Sequence, residues 1–286
     1  MRDLLIGLLE PTPVLDHGFV RLVDAMPRLA EPDETADHAI VRAARVSYQA
    51  GTKASRTDRG LIRYLMRNYH TSPFEMVEFK FHTKMPIFVA RQWVRHRTAS
   101  INEVSARYSV LPEEFYIPEP EAVGAQATSN RQGRSEGLLD GAIVEETRNA
   151  LRDQATGAFA SYQNLLDKEV ARELSRAVLP VSAYTEWYWK ANLLNVFRFL
   201  QLRLDHHAQY EIRVYAEAIA AVVKQVAPWS FEAFEDYWMN GARLSSLEWN
   251  AISSELTDEQ RASIVKRLES TLSAGELREL EHKLAR

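Results

Sequence analysis

The chain has 286 residues, no cysteine, 46% hydrophobic and 26% charged residues, and a formal net charge of −4 at pH 7. A chain of this size buries roughly three-quarters of the surface it exposes when unfolded, so it needs no covalent staples, and its composition excludes global disorder. The missing thiol excludes disulfides, cysteine-ligated clusters and a cysteine nucleophile, and the acidic balance excludes an overall basic field that would draw in nucleic acid.

The first residues, MRDLLIGLLEPTPV, hold a short apolar run cut by Glu10 and Pro11. That is not the shape of a signal peptide, and no apolar stretch of about 20 residues follows, so a cytoplasmic protein with no membrane span is expected. Gly18 to Met26 is β-branched and apolar enough for a strand. Glu34 to Tyr48 reads as a helix with Ile40, Val41, Ala44 and Tyr48 on one face. Asp58 can cap a helix reaching Tyr69, with Leu61, Ile62, Leu65 and Met66 inward. Val77, Phe79, Phe81 and Thr83 alternate with Glu78, Lys80 and His82, the period of a strand. Pro86 suits the first turn of a helix toward Arg97.

Residues 118–137 are rich in turn formers and small side chains, and predict a long surface loop. Helices are expected over Ala142–Lys168 and Arg172–Leu179, the second stopped by Pro180. Tyr184–Leu204 and Asp205–Val226 are apolar and free of internal Pro or Gly, which predicts a helical core. On that reading Tyr184, Trp187 and Tyr188 share a helix face as core packing, with stacking on a bound ring system as the alternative, and the apolar helices suit subunit packing. After Leu256, Thr257 and Gln260 form a capping-box pattern. Ile264, Leu268 and Leu272, then Leu277, Leu280 and Leu284 beyond Gly275, predict a short amphipathic helical pair.

The basic residues are 27 Arg and only 8 Lys. Guanidinium groups suit planar, bidentate binding of phosphate and carboxylate, although genomic base composition accounts for such an excess equally well. The densest polar segment, RQWVRHRTASINEVSARY, runs from Arg91 to Tyr108. Arg91 and Arg95 share a helix face there, and Ser100, Asn102, Glu103 and Ser105 add donors and acceptors, a grouping that fits a phosphate or an anionic cofactor. The alternative is a solvated helix end with ion pairs.

Arg95, His96 and Arg97, followed after seven residues by Ser105, resemble the signature of flavin-dependent thymidylate synthases. HGFVRLVDAM, RAARVSY, HTSPFE from His70, FHTKMPIFVARQW, EEFYIP, RAVLP and LDHHAQYEIR resemble the same family in the same order, over roughly residues 17–120 and 165–237. The resemblance implies an α+β fold, with a twisted, mostly antiparallel sheet and a bundle of long helices. It implies a catalytic domain over 1–237 and a C-terminal helical extension over 238–286. It implies conversion of dUMP to dTMP, with 5,10-methylenetetrahydrofolate as carbon donor and FAD reduced by NADPH, in a homotetramer whose active sites are shared between subunits. The lack of Cys agrees, because the chain cannot attack the pyrimidine with a thiolate.

By the same resemblance, Gln92, Trp93, Val94, Arg95, Glu103, Val104, Ser105, Ala106, Arg107, Arg176 and Arg203 would bind dUMP. Arg107 would hold its phosphate, and Arg176 would reach it from another subunit. Arg203 would be the catalytic residue, set against the uracil, where a permanent cation can stabilise a developing anion. Ser72, Glu75, Arg95, His96, Arg97, Glu103, Asn192, Leu194, Arg198 and His207 would contact FAD, and His70 would line the folate or nicotinamide side. Leu194 and Arg198 depart from the family pattern, which has Arg in some members at the first position and His or Asn at the second. Ser105 is read as a substrate contact, since no His or Lys base is placed against it. His206 and His207, taken as helical neighbours pointing about 100° apart, would not chelate together, so no metal is expected. Two other readings stand beside this one. A helical nucleic-acid-binding protein is opposed by the acidic charge. A catalytically inactive scaffold is opposed by the presence of Arg95, Glu103, Arg107, Arg176 and Arg203.

Overall fold

The computed structural model describes residues 8–28, 34–47, 57–128 and 133–285. In chain order its strands are β1 (Thr12–Val14), β2 (Gly18–Met26), β3 (Glu78–Pro86), β4 (Ser100–Glu103), β5 (Gly124–Gln126), β6 (Arg134–Leu138) and β7 (Tyr184–Asn192). Its helices are α1 (Ala36–Arg45), α2 (Asp58–Arg67), α3 (Ile87–Trp93), α4 (Gly141–Asp167), α5 (Arg172–Ser175), α6 (Leu193–Arg203), α7 (Tyr210–Val226), α8 (Pro228–Phe234), α9 (Ser246–Ser254), α10 (Asp258–Leu268) and α11 (Ala274–Leu284). The fold divides into two units. One holds Met1–Ala44 with Thr71–Pro228, and the other Arg45–His70 with Trp229–Arg286. The expected division at 237/238 falls inside a π-helical turn, Glu235–Met239. The C-terminal segment from Trp229 shares its unit with the chain around α2.

The first unit is built on a five-stranded sheet in the order β1-β2-β3-β7-β4, each neighbouring pair antiparallel. The alternation expected in β3 is present. Phe79, Phe81, Thr83 and Met85 are buried, while Lys80, His82 and Lys84 face the other side. Phe81 lies opposite Trp189 across the β3–β7 ladder, with ring centroids 6.1 Å apart. Trp93, at the end of α3, stacks on Phe199 at 4.7 Å and meets Trp187 and Trp189 edge-on. It is fully buried, and truncating it to Ala would cost roughly 3–5 kcal/mol. Gly18 is required where α7 crosses β2, because a Cβ there would sit 2.0 Å from the Tyr215 hydroxyl, which donates to the Lys84 carbonyl.

Several sequence expectations are corrected. Tyr184–Asn192 is a strand and not the start of a helix. Trp187, Trp189 and Ala191 are buried while Tyr188 and Lys190 are exposed, so the true period is two. Pro86 closes β3, and α3 ends at Trp93 instead of running to Arg97. The cap of α2 is Thr57, whose hydroxyl accepts from the Gly60 amide. The described part of the 118–137 segment is not wholly loop. It holds a 3-10 turn at Pro120–Ala122 and the β5–β6 pair, with residues 129–132 outside the described set. The helix expected over 34–48 spans Ala36–Arg45, and Tyr48 lies outside the described residues. The helix expected over 172–179 is α5 plus a 3-10 turn, Arg176–Val178. Helix α7 begins only at Tyr210.

The second unit is helical. The Thr257/Gln260 capping box is present, and so are two more, Ser245/Glu248 and Ser273/Glu276. No helix among the described residues is long and apolar enough to cross a membrane.

Candidate active site

Helix α6 organises the site in the first unit. Asn192 at its N-cap accepts from the Asn195 amide, and the next turn carries Leu194 and Arg198. The 3-10 turn Ser72–Met76 packs on this end, with Phe74 edge-on to Phe197 and the Leu193 amide donating to the Val77 carbonyl. Ser72 and Glu75 are exposed beside it. Arg198 is exposed and donates to Asn195 Oδ1 at 3.2 Å.

The other end of α6 carries Arg203. Its Nε donates to His96 Nε2 at 3.1 Å, and its Nη2 to the Gln92 carbonyl at 3.4 Å. His96 also meets Phe199 edge-on at 5.0 Å. Burial, and then the Arg203 charge, push its pKa down to about 4. His96 is therefore neutral near pH 7, with Nε2 as acceptor. Arg203 is itself held below its ordinary value, by burial and then by the neighbouring Arg95 charge. Arg203 has no carboxylate partner among the described residues, and neither do Arg91, Arg95, Arg97, Arg176 or Arg198. Two like charges near each other without a counterion call for an anion.

The signature segment continues into β4, an exposed edge strand paired with β7. Thr185 Oγ1 donates to Glu103 Oε1 at 2.5 Å and aims that carboxylate. Val104 is exposed, Ala106 is buried and Ser105 is half-buried. Ser105 Oγ accepts from the Arg107 amide, and among the described residues no His or Lys bonds to it. Arg107 pairs with Glu173 at 3.5 Å, and Arg172 donates to the Tyr108 carbonyl. This loop thus rests on α5, three residues before Arg176.

Three expected binding residues, Trp93, Ala106 and Leu194, sit in the core. Trp93 and Leu194 are buried, so their side chains pack, and only their main chain is left for a ligand. Asp205, His206 and His207 lie in the turn between α6 and α7 and not on a helix, so no helix sets the two imidazoles about 100° apart. Their ligand atoms converge within 4.8 Å. The convergence is accounted for by Asp205 Oδ1, which accepts from the His207 amide and lies 2.8 Å from His207 Nδ1. His70 belongs to the second unit, where its ring meets Tyr64 edge-on at 5.6 Å.

Sequence reasoning missed Thr185, Glu173 and Gln209. Gln92 donates to Gln209, which donates in turn to the buried Glu211. Glu211 also receives Arg134 and the Tyr116 hydroxyl at the edge of a cavity of about 420 Å³. Only the adjacency of Gln209 to the HHA run carried any local signal; the other two act across strand and loop contacts.

Residues 22–229 match the family described as thymidylate synthase complementing protein. The chain is 56% identical over 239 residues to a flavin-dependent thymidylate synthase of Dictyostelium discoideum, covering 84% of this chain and 78% of that one. It is 54% identical to the Thermus thermophilus enzyme of the same name over 247 residues, 86% of each chain. Among solved structures it is similar to the UMP/dUMP methylase PolB from Streptomyces cacaoi bound with 5-Br dUMP. The TM-score is 0.69 and the identity 32%, covering 81% of this chain and all of that one. The chain belongs to the thymidylate synthase complementing protein family.

The donor set fits the cofactor that the resemblance implies. The exposed guanidiniums of Arg95 and Arg97, which have no carboxylate partner among the described residues, suit the diphosphate of a flavin dinucleotide, and the exposed face carrying Asn192, Arg198, Ser72 and Glu75 supplies neutral and charged partners. The departures at 194 and 198 are accommodated differently. Leu194 is turned into the core, whereas Arg198 remains available at the surface.

Proposed function

We propose that this chain is a flavin-dependent thymidylate synthase that methylates dUMP to dTMP, with 5,10-methylenetetrahydrofolate as carbon donor and NADPH as reductant. The relatives carry that name, and the arginine set of the first unit supports the reading. Bound FAD would supply the reducing equivalents, and the chain's own residues bind, orient and polarise. Arg95, Arg97, Asn192, Arg198, Ser72, Glu75 and His207 would hold it. Gln92, Glu103, Ser105, Arg107 and Arg176 would hold dUMP, with Arg107 exchanging Glu173 for the nucleotide phosphate. Arg203 would sit against the uracil and stabilise negative charge as it develops on the ring.

The observation that carries this reading is Arg203 itself. It is a half-buried cation whose nearest partner is a neutral imidazole, so its charge stays available to a substrate anion. His96 aims the guanidinium without neutralising it. An inactive scaffold would gain nothing from such a cation, since an unpaired buried charge destabilises the fold.

We also propose a homotetramer working in the cytoplasm. The apolar stripe of α7 does not support the assembly, because Ile212, Tyr215, Ile219 and Val223 are already buried within one chain. The exposed Leu174, Val178, Val181 and Leu202 support it instead. The test is NADPH oxidation by purified protein with FAD, with and without dUMP, followed by assay for dTMP. Acceleration by dUMP with dTMP formed is the expected result. Folded protein that takes up FAD and yet oxidises no NADPH in either case would overturn the proposal.

A further inference from the structure

The second unit contains a continuous set of contacts from the C-terminal helix to His70. Arg67 Nε and Nη2 donate to Glu279 Oε2 and Oε1 at 2.6 and 2.8 Å, a bidentate pair that fixes the guanidinium plane. Arg67 is only 7% exposed and Glu279 31%, so this pair is partly shielded from the screening that weakens surface ion pairs. Its Cζ lies 5.2 Å from the centroid of the Tyr64 ring, and that ring packs edge-on to His70 at 5.6 Å. The His70 backbone is constrained as well. Its amide donates to the Leu65 carbonyl, and Tyr69, left-handed at φ 56, stacks on Trp238 at 5.9 Å.

Helix α11 is anchored so that Glu279 stays in place. Glu276 accepts from Arg63 at 2.9 Å, from Ser273 Oγ at 2.6 Å and from the Tyr237 hydroxyl. Arg63 also pairs with Glu232 and Asp236. A loosely docked appendage has no need of this many directed bonds.

We propose that Glu279, acting through Arg67 and Tyr64, is a positioning residue for the His70 imidazole, so the C-terminal helices belong to the working enzyme. The role given to His70, on the folate or nicotinamide side, rests on the proposed function. The contacts do not.

The test uses the full chain with FAD bound and compares Glu279→Ala with Arg67→Lys. Arg67→Lys keeps a cation for Glu279 but loses the planar group over Tyr64. With histidine labelled at Cε1, and the His70 resonance assigned by His70→Gln, both variants should move that resonance as Tyr64 shifts. Both should raise the KM for NADPH in flavin reduction about threefold, the size expected from one lost cation–π contact, with dUMP affinity unchanged. Glu279→Asp should recover part of the effect. If Arg67→Lys behaves as wild type while Glu279→Ala does not, the tail is only a tether and positioning is refuted. If neither variant moves the resonance, the contact chain is refuted. A moved resonance with wild-type kinetics, in a protein that still makes dTMP, would refute the role of His70 and leave the proposed activity standing.

Discussion

Replacing Arg203 by Gln removes a charge from beside His96 while leaving an amide that can still donate to Nε2. The nitrogens are 3.1 Å apart. At an effective dielectric near 20, the repulsion between a guanidinium and a protonated imidazole at about 4 Å is at most about 4 kcal/mol. Partial exposure of both groups reduces it to about 1–2 kcal/mol. Burial, the larger cause of the low His96 pKa, persists in the variant. The His96 pKa should therefore rise from about 4 to about 5, still below its ordinary 6.5. The sign for stability follows from which state binds the proton. The folded pKa is depressed below the unfolded one, so the stability is complete above about pH 6.5 and is lost as pH falls toward 4. The loss is at most about 3 kcal/mol in the wild type and about 2 kcal/mol in the variant. Imidazole NMR titration reads the first quantity, and urea unfolding at pH 7 and pH 4.5 the second. Turnover should fall about 10²- to 10³-fold in Arg203→Gln, with dUMP affinity changed far less. A wild-type His96 that titrates near 6.5, or a variant with wild-type turnover, would refute the reasoning.

Arg107→Ala should weaken dUMP binding by about 10- to 100-fold, read by titration calorimetry, with a smaller change in turnover at saturating nucleotide, because a charge-assisted phosphate contact is worth roughly 1.5–3 kcal/mol. Ser105→Ala should retain measurable turnover, since no base among the described residues bonds to its hydroxyl; complete loss with intact dUMP binding would oppose the reading of Ser105 as a substrate contact. Glu276→Gln should remove an acid-labile part of the stability. Burial opposes ionisation of Glu276, but bonds from Ser273, Tyr237 and Arg63 outweigh it and bring the pKa down to about 2. Its contribution is present above about pH 4.5 and lost as pH falls toward 2, up to about 3 kcal/mol, so the variant should show a flatter acid limb in circular-dichroism unfolding.

The signature segment was legible because it lies in one continuous stretch, Arg91 to Tyr108, where residue types and spacing carry the chemistry. Strand β3 and helix α4 were legible for a related reason. Each has one buried face, and that face imposes its period on the sequence. The same logic failed over Tyr184–Asn192. Its aromatics recur at three- and four-residue spacings as well as at two, and only the ladders to β3 and β4 decide that it is a strand. Once it is a strand, Thr185 comes to the edge beside Glu103, a role no helical reading could give it.

The sequence by itself determined the family, the absence of thiol chemistry and the identity of the arginines that carry charge. Each of these is a matter of composition or of short-range order. The tertiary structure alone decided which of those groups stay charged and unpaired. Whether Arg203 faces a carboxylate or a neutral imidazole depends on residues more than a hundred positions apart, and burial sets the protonation of His96. The C-terminal helices follow the same rule. Their amphipathic pattern predicts helices, but a helix pattern does not name its partner, and only packing brings Glu279 to Arg67.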